Sequence, residues 1–190
     1  MEKPSLEMYF IDVGQGDSTF IVTPKRKTIL IDGGENDRAF RFLSWKYDLK
    51  KVKPNNHVII DLLVLSHGDE DHLKGLIPII KSPKMKIKKI IHNDLGLYKK
   101  NSNHNEKLGK LESVGGKKYI TTSHDQLSDL KDSELRANFQ KWKNAIADEG
   151  VVDYSAVDTL SDLSIGAPDI KLEIVSPINE VDFNGDLIFR

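Results

Sequence analysis

"LLVLSHGDEDHLKGL", residues 62–76, runs apolar as far as Leu65, then places His67, Asp69, Glu70, Asp71 and His72 within six positions before turning apolar again. The apolar run reads as a strand, and "HLKGLIPIIKS" (72–82) reads as a short helix opening directly out of the acidic stretch. A loop that leaves a strand end is held by a rigid sheet, which can make side chains converge. The alternate residues His67 and Asp69 can point to one side, while the neighbours Asp71 and His72 must diverge. That spacing suits two adjacent cations, about 3.5–4 Å apart, better than one. The bland alternative is a solvated acidic loop whose Asp caps the following helix.

Upstream, "LEMYFIDV" (6–13), "STFIVT" (18–23), "KTILID" (27–32) and "VIIDLLVLS" (58–66) are each rich in β-branched or aromatic residues and bounded by turn formers, so each predicts a strand. The first three are close enough together for hairpins. "NDRAFRFLSWKYDLKK" (36–51) spaces Phe40, Leu43 and Tyr47 as a helix would. Downstream, "KIKKIIH" (86–92) predicts another strand, "NEKLGKLESVGG" (105–116) a helix stopped by Gly115 and Gly116, and "KYITTS" (118–123) a strand. "DSELRANFQKWKNAIADEG" (132–150) predicts an amphipathic helix capped at Asp132 or Ser133, with Leu135, Phe139, Trp142 and Ile146 on its core face and Gly150 ending it. "DIKLEIVSPI" (169–178) predicts a last strand.

Composition narrows the chemistry. With 28 Lys and Arg against 29 Asp and Glu the formal net charge is −1, so no bulk field attracts nucleic acid or a membrane surface. The absence of cysteine excludes disulfides, thiolate zinc sites and cysteine nucleophiles, and leaves His, Asp and Glu as the strong metal ligands. No segment is apolar for long enough to cross a bilayer and the start has no apolar leader. The expectation is a cytoplasmic protein with no membrane partner.

His67-x-Asp69-x-Asp71-His72 after an apolar strand, with "HLKGL" behind it, resembles the central metal motif of the metallo-β-lactamase-fold hydrolases, with Asp69 where a histidine is commoner. "DVGQGDS" (12–18) followed by "ILIDGG" (29–34) is similar to the opening of the hydrolase domain of ComEC-type competence proteins. Read alone, "DVGQGDS" is a tight turn or an ordinary hairpin, and Asp32 is turn chemistry. The resemblance implies instead that the turn lies beside the metal site, with Asp12, Asp17 and Asp32 supporting the ligands, and that Asp32 orients a metal-ligating imidazole by hydrogen bond. It implies an α/β layered fold, the αββα sandwich, of which this chain carries the first half plus an insertion.

The same resemblance implies a metal-dependent hydrolase with Zn²⁺ or Mn²⁺, two ions in a complete domain, held by His67, Asp69, Asp71 and His72. Asp71 carries the catalytic role, and hydroxide drawn from bound water attacks a phosphodiester in a nucleic acid or nucleotide. The chain departs from the family downstream. Gly185-Asp186 has only "VDF" before it and reads as a turn, and Ser176 stands where relatives carry His before Pro177. The expectation is therefore one domain over residues 1–190 lacking its C-terminal part, completed by that part or by another chain, with apolar sheet surface left uncovered. The competing expectation is a non-catalytic metal-binding or interaction module. His92 follows a strand and could approach a metal, but is read as a surface or hydrogen-bonded strand-end residue, and His57, His104 and His124 as structural.

Overall fold

The structure, a computed structural model, describes residues 4–92, 111–114, 116–120, 131–150, 153–156, 163, 170–175, 179–181 and 187–189. Its centre is a six-stranded mixed sheet. The strands β1 (Glu7–Phe10), β2 (Thr19–Val22) and β3 (Thr28–Ile31) pair antiparallel through short turns. Beyond β3, strands β5 (Leu62–Leu65), β7 (Lys89–His92) and β10 (Asp153–Ala156) run parallel to it and to each other. This change of pattern follows chain spacing. Two-stranded hairpins need a few residues, whereas parallel neighbours need a crossover that carries the chain back to the start of the sheet.

The stretches 58–66 and 86–92, each predicted as one strand, are each two. Val58–Ile60 (β4) and Met85–Ile87 (β6) pair parallel as a separate ribbon, and the chains pass into the main sheet at Asp61 and Lys88. Both crossings happen at the same level because those residues bind each other. Lys88 Nζ lies 2.7 Å from Asp61 Oδ1, and Oδ2 accepts the Thr28 N–H at 3.0 Å, while Lys27 Nζ approaches Oδ1 at 3.3 Å. Apolar residues continue on both sides of the break, so hydropathy alone gives no sign of it.

One face of the sheet carries the helices α1 (Arg38–Lys46), α2 (Glu70–Leu73), α3 (Ile77–Ile80) and α4 (Ala137–Asp148), with a 3₁₀ turn, Lys74–Leu76, joining α2 to α3. Phe20, Leu30, Leu43, Leu63, Leu65, Leu76, Ile79, Ile90 and Trp142 are buried between them. Helix α4 buries Phe139, Trp142, Ala145 and Ile146, the expected stripe, but starts later than expected. Asp132 to Glu134 form a 3₁₀ turn, and the Asp132 carboxylate accepts from Lys143 and Gln140 rather than capping backbone N–H groups.

On the opposite face Ile29, Leu62 and Ile91 pack with Ile21, Ile31, Val64 and with Leu163, Ile170 and Leu172. Residues 170–175 form no strand, contrary to expectation, although Ile170 and Leu172 do alternate with the exposed, ion-paired Lys171 and Glu173. The alternation reports half-burial against the sheet, not a hydrogen-bonded ladder. Leu6, Met8 and Phe10 stay exposed at the β1 edge, so part of the apolar sheet surface is uncovered there. A further sheet orders β11 (Asn179–Val181), β12 (Leu187–Phe189), β9 (Lys117–Ile120) and β8 (Leu111–Val114). Within it Leu111–Val114 is a strand where a helix was expected, because Gly116, which reads as part of a helix stop, takes φ +80° in the turn before β9. Residues 105–110, Ser176, Pro177, Gly185, Asp186, His104 and His124 lie outside the described residues. Among the described residues no helix is long and apolar enough to cross a membrane.

The Asp61 crossing makes a testable acid sensitivity. Burial alone would raise this carboxyl, but the hydrogen bonds from Lys88, Thr28 and Lys27 outweigh it and hold the pKa below the ordinary value. A carboxyl lowered in the folded state stabilises above its unfolded pKa, near 3.9, and loses that contribution as pH falls through the folded value. Asp61→Asn should cost about 1–3 kcal/mol in urea unfolding at pH 7. The gap from the parent should close below about pH 4; a gap of constant size across pH would contradict this role.

Candidate functional site

Three turns meet at the C-terminal ends of β3 and β5, and they meet backbone to backbone. The Gly33 N–H donates to the His72 carbonyl at 2.8 Å and the Gly75 N–H to the Gly34 carbonyl at 2.9 Å. A Cβ on Gly75 would stand 1.9 Å from the Gly33 carbonyl oxygen, and one on Gly16 would stand 1.7 Å from that of Asp71. Only glycine admits such approaches. The 12–18 turn, a hairpin loop between β1 and β2, is thereby seated on the 67–72 loop, as the resemblance implied.

Asp32 ties the turns together. It is buried and non-glycine, yet holds φ +57°, a sparsely populated conformation kept only when its surroundings over-determine it. Its N–H donates to the Val64 carbonyl at 2.9 Å, and its own carbonyl accepts from Ser18 Oγ at 2.9 Å. The carboxylate accepts the Ser66 N–H on Oδ1 at 2.8 Å, and on Oδ2 it accepts Ser66 Oγ at 2.6 Å and His72 Nδ1 at 2.9 Å. A carboxylate only accepts, so Nδ1 is the protonated nitrogen of His72, and in the neutral ring the lone pair sits on Nε2. A second nitrogen held by a carboxylate is the usual setting of a metal-ligating imidazole.

His67 and Asp69 are 43% and 50% exposed, with Nε2 and Oδ2 3.6 Å apart, and the His67 and His72 rings lie 3.9 Å centroid to centroid. Asp69 occupies the position before α2 but makes no side-chain capping bond there. The capping function that would make the loop ordinary is therefore missing. Glu70 is drawn away by Lys74 at 2.9 Å, whose hydrogen bond is the main reason its pKa lies below the ordinary value. Asp71, on the first turn of α2, is half-buried, and its carboxylate makes no hydrogen bond among the described residues.

Whether these groups suit a cation can be judged from their spacing. Two ligands about 2.1 Å from a tetrahedral ion stand roughly 3.4 Å apart, close to the 3.6 Å between His67 Nε2 and Asp69 Oδ2. The donor types and this gap fit a divalent metal, although among the described residues no three His, Asp or Glu side chains already converge as a closed shell. Asp12 and Asp17 do not join them. Asp12 is 89% exposed and accepts from the Gly14 N–H and Arg38, while Asp17 is exposed and makes no hydrogen bond to the loop. His92 ends β7 beside Leu65, buried, with its ring edge-on to Trp142 at 6.2 Å. Ser66 is the site residue that the sequence reading passed over. A hydroxyl at a strand end beside a histidine was the available signal.

Comparison with known proteins agrees with this geometry. Residues 11–164 match the Metallo-beta-lactamase superfamily, a span that takes in all three turns. Over 82 residues the chain is 32% identical to Recombination protein 2 of Haemophilus influenzae (strain ATCC 51907 / DSM 11121 / KW20 / Rd), an overlap of 43% of this chain and 10% of that protein. The chain thus spans about a tenth of the length of the curated relative it matches. A buried carboxylate holding an imidazole, glycine-tight turns around it and a match over most of the chain coincide: the chain belongs to the metallo-β-lactamase superfamily.

Proposed function

We propose that the chain acts as a metal-dependent hydrolase of phosphodiesters, with Zn²⁺ or Mn²⁺ held by His67, Asp69, Asp71 and His72, two ions in a complete domain, and a nucleic acid or nucleotide as substrate. The observation that carries this reading is the 2.9 Å contact from His72 Nδ1 to the Asp32 carboxylate. It leaves Nε2 as the donor atom. When bound, such cations supply Lewis acidity and lower the pKa of a water toward neutrality. The protein's part is positional: Asp32 holds His72, the Gly16 contact holds the Asp71 backbone, and the exposed His67 and Asp69 leave an open approach for substrate. Asp71 is assigned the catalytic role because its half-buried carboxylate makes no hydrogen bond among the described residues and is available to ion and water alike. The phosphodiester assignment draws support from the likeness to a protein named for recombination and from the match between two cations and the charge that develops on a phosphoryl group. Cytoplasmic placement belongs to the same proposal.

A second reading, a non-catalytic metal-binding or interaction module, is favoured by the absence of three converging ligands among the described residues. Two measurements separate them. Zinc or manganese at about 100 times its Kd should stabilise the chain by about 2.7 kcal/mol, seen as a raised Tm that His67→Ala and His72→Ala abolish. With metal bound, a chromogenic phosphodiester should be hydrolysed, and Asp71→Ala should lower turnover about 100-fold or more. Metal-dependent stabilisation without turnover would favour the metal-binding module; no response to metal in the parent would remove the hydrolase and the metal-binding module alike and leave the interaction module.

A further inference from the structure

We infer that Ser66 is a positioning residue whose hydroxyl relays the Asp32 carboxylate to His67, so that one buried acid sets the ring tautomer of both imidazoles in the loop. The inference rests on the metal-binding reading above and deepens it. Ser66 Oγ lies 2.6 Å from Asp32 Oδ2 and 2.9 Å from His67 Nδ1. The hydroxyl has one proton, and a contact of 2.6 Å to an anionic acceptor takes it. Only lone pairs then remain on Oγ to face His67, and the 2.9 Å contact is a hydrogen bond only when Nδ1 carries the ring proton. The other assignment sets two lone pairs against each other, or turns the hydroxyl away and leaves the buried Oδ2 with one donor fewer.

The consequence falls on the far side of the ring. With Nδ1 protonated, His67 Nε2 bears a lone pair and no proton, 3.6 Å from Asp69 Oδ2. His72 reaches the same state by direct contact with Asp32, so both rings present Nε2. Their supports differ in kind. His72 is buried and bound by the carboxylate itself, whereas His67 is 43% exposed and bound through a neutral hydroxyl. An exposed imidazole in water favours the opposite tautomer, with the proton on Nε2, so without the relay His67 would present a proton where a cation must bind. Ser66 is well placed for this task because Asp32 grips it twice, by its N–H on Oδ1 and its hydroxyl on Oδ2, which fixes the side chain.

The test is nitrogen NMR of the imidazoles in ¹⁵N-labelled, metal-free protein at about pH 8, where unperturbed histidines are neutral. The parent should show His67 as the Nδ1–H form. Ser66→Ala should move it largely to Nε2–H while leaving His72 unchanged, and Ser66→Thr, which keeps the hydroxyl, should restore the parent pattern. Calorimetric zinc affinity should fall about tenfold in Ser66→Ala and recover in Ser66→Thr. The alanine variant keeps its N–H on Asp32, and an unchanged His72 signal certifies its fold; should it not fold, the parent's His67 tautomer decides alone. A parent His67 in the Nε2–H form, or a tautomer indifferent to Ser66→Ala, overturns the relay. A parent that takes up no zinc overturns the metal reading, and the metal-free spectra still decide the relay separately.

Discussion

The hydrogen bond between His72 Nδ1 and the Asp32 carboxylate, 2.9 Å long and buried, joins residues 40 positions apart and depends on a backbone conformation that few non-glycine residues adopt. With φ at +57°, Asp32 turns its carboxylate back across the end of the sheet toward the β5 loop. That conformation costs energy of order 1–3 kcal/mol, and it is repaid by five hydrogen bonds to Val64, Ser18, Ser66 and His72. Through these bonds Asp32 reaches the end of β5, the 12–18 turn and the 66–72 loop at once. The glycines at 16, 33 and 75 are the geometric counterpart, since side chains there would push apart the turns that this carboxylate draws together.

The sheet explains why such a carboxylate and such a loop meet at all. Strands β3, β5 and β7 are parallel neighbours, so their C-terminal ends lie along one edge. Asp32 follows β3, Ser66 and His67 follow β5, and His92 closes β7. Ligand and catalytic groups of open α/β sheets gather at this edge because successive parallel strands all deliver their outgoing loops there. Upstream, the Asp61–Lys88 pair keeps the two crossing chains level. The register of β5 against β7, and hence the height of the His67 loop, is thereby fixed from the opposite end.

Much of this was legible because local signals agreed with the final environment. β1 to β3 are short runs rich in β-branched and aromatic residues bounded by turn formers, and the apolar stripes of α1 and α4 match one helix side. The 62–76 stretch announced the site because few structural roles require two histidines and three acids beside a buried strand. The strand breaks at Asp61 and Lys88 were hidden, since apolar residues continue across them and only a contact 27 residues distant explains the charges. Residues 111–114 misled for a related reason, as a glycine such as Gly116 ends a helix and enters a turn between strands equally well. Ser66 is only half legible in sequence, since its place at a strand end beside a histidine shows one partner and hides the other, 34 residues away.

The claim that the Asp32–His72 contact organises the site is measured most directly by a double-mutant cycle on unfolding free energy. Asn tolerates the left-handed conformation nearly as well as Asp, so Asp32→Asn changes the charge while sparing the backbone. Combined with His72→Gln in urea unfolding at neutral pH, the cycle should give a coupling of about 1.5–3 kcal/mol, the value of a hydrogen bond to a charged group. Effects that add to within about 0.5 kcal/mol would show two independent residues and contradict the account.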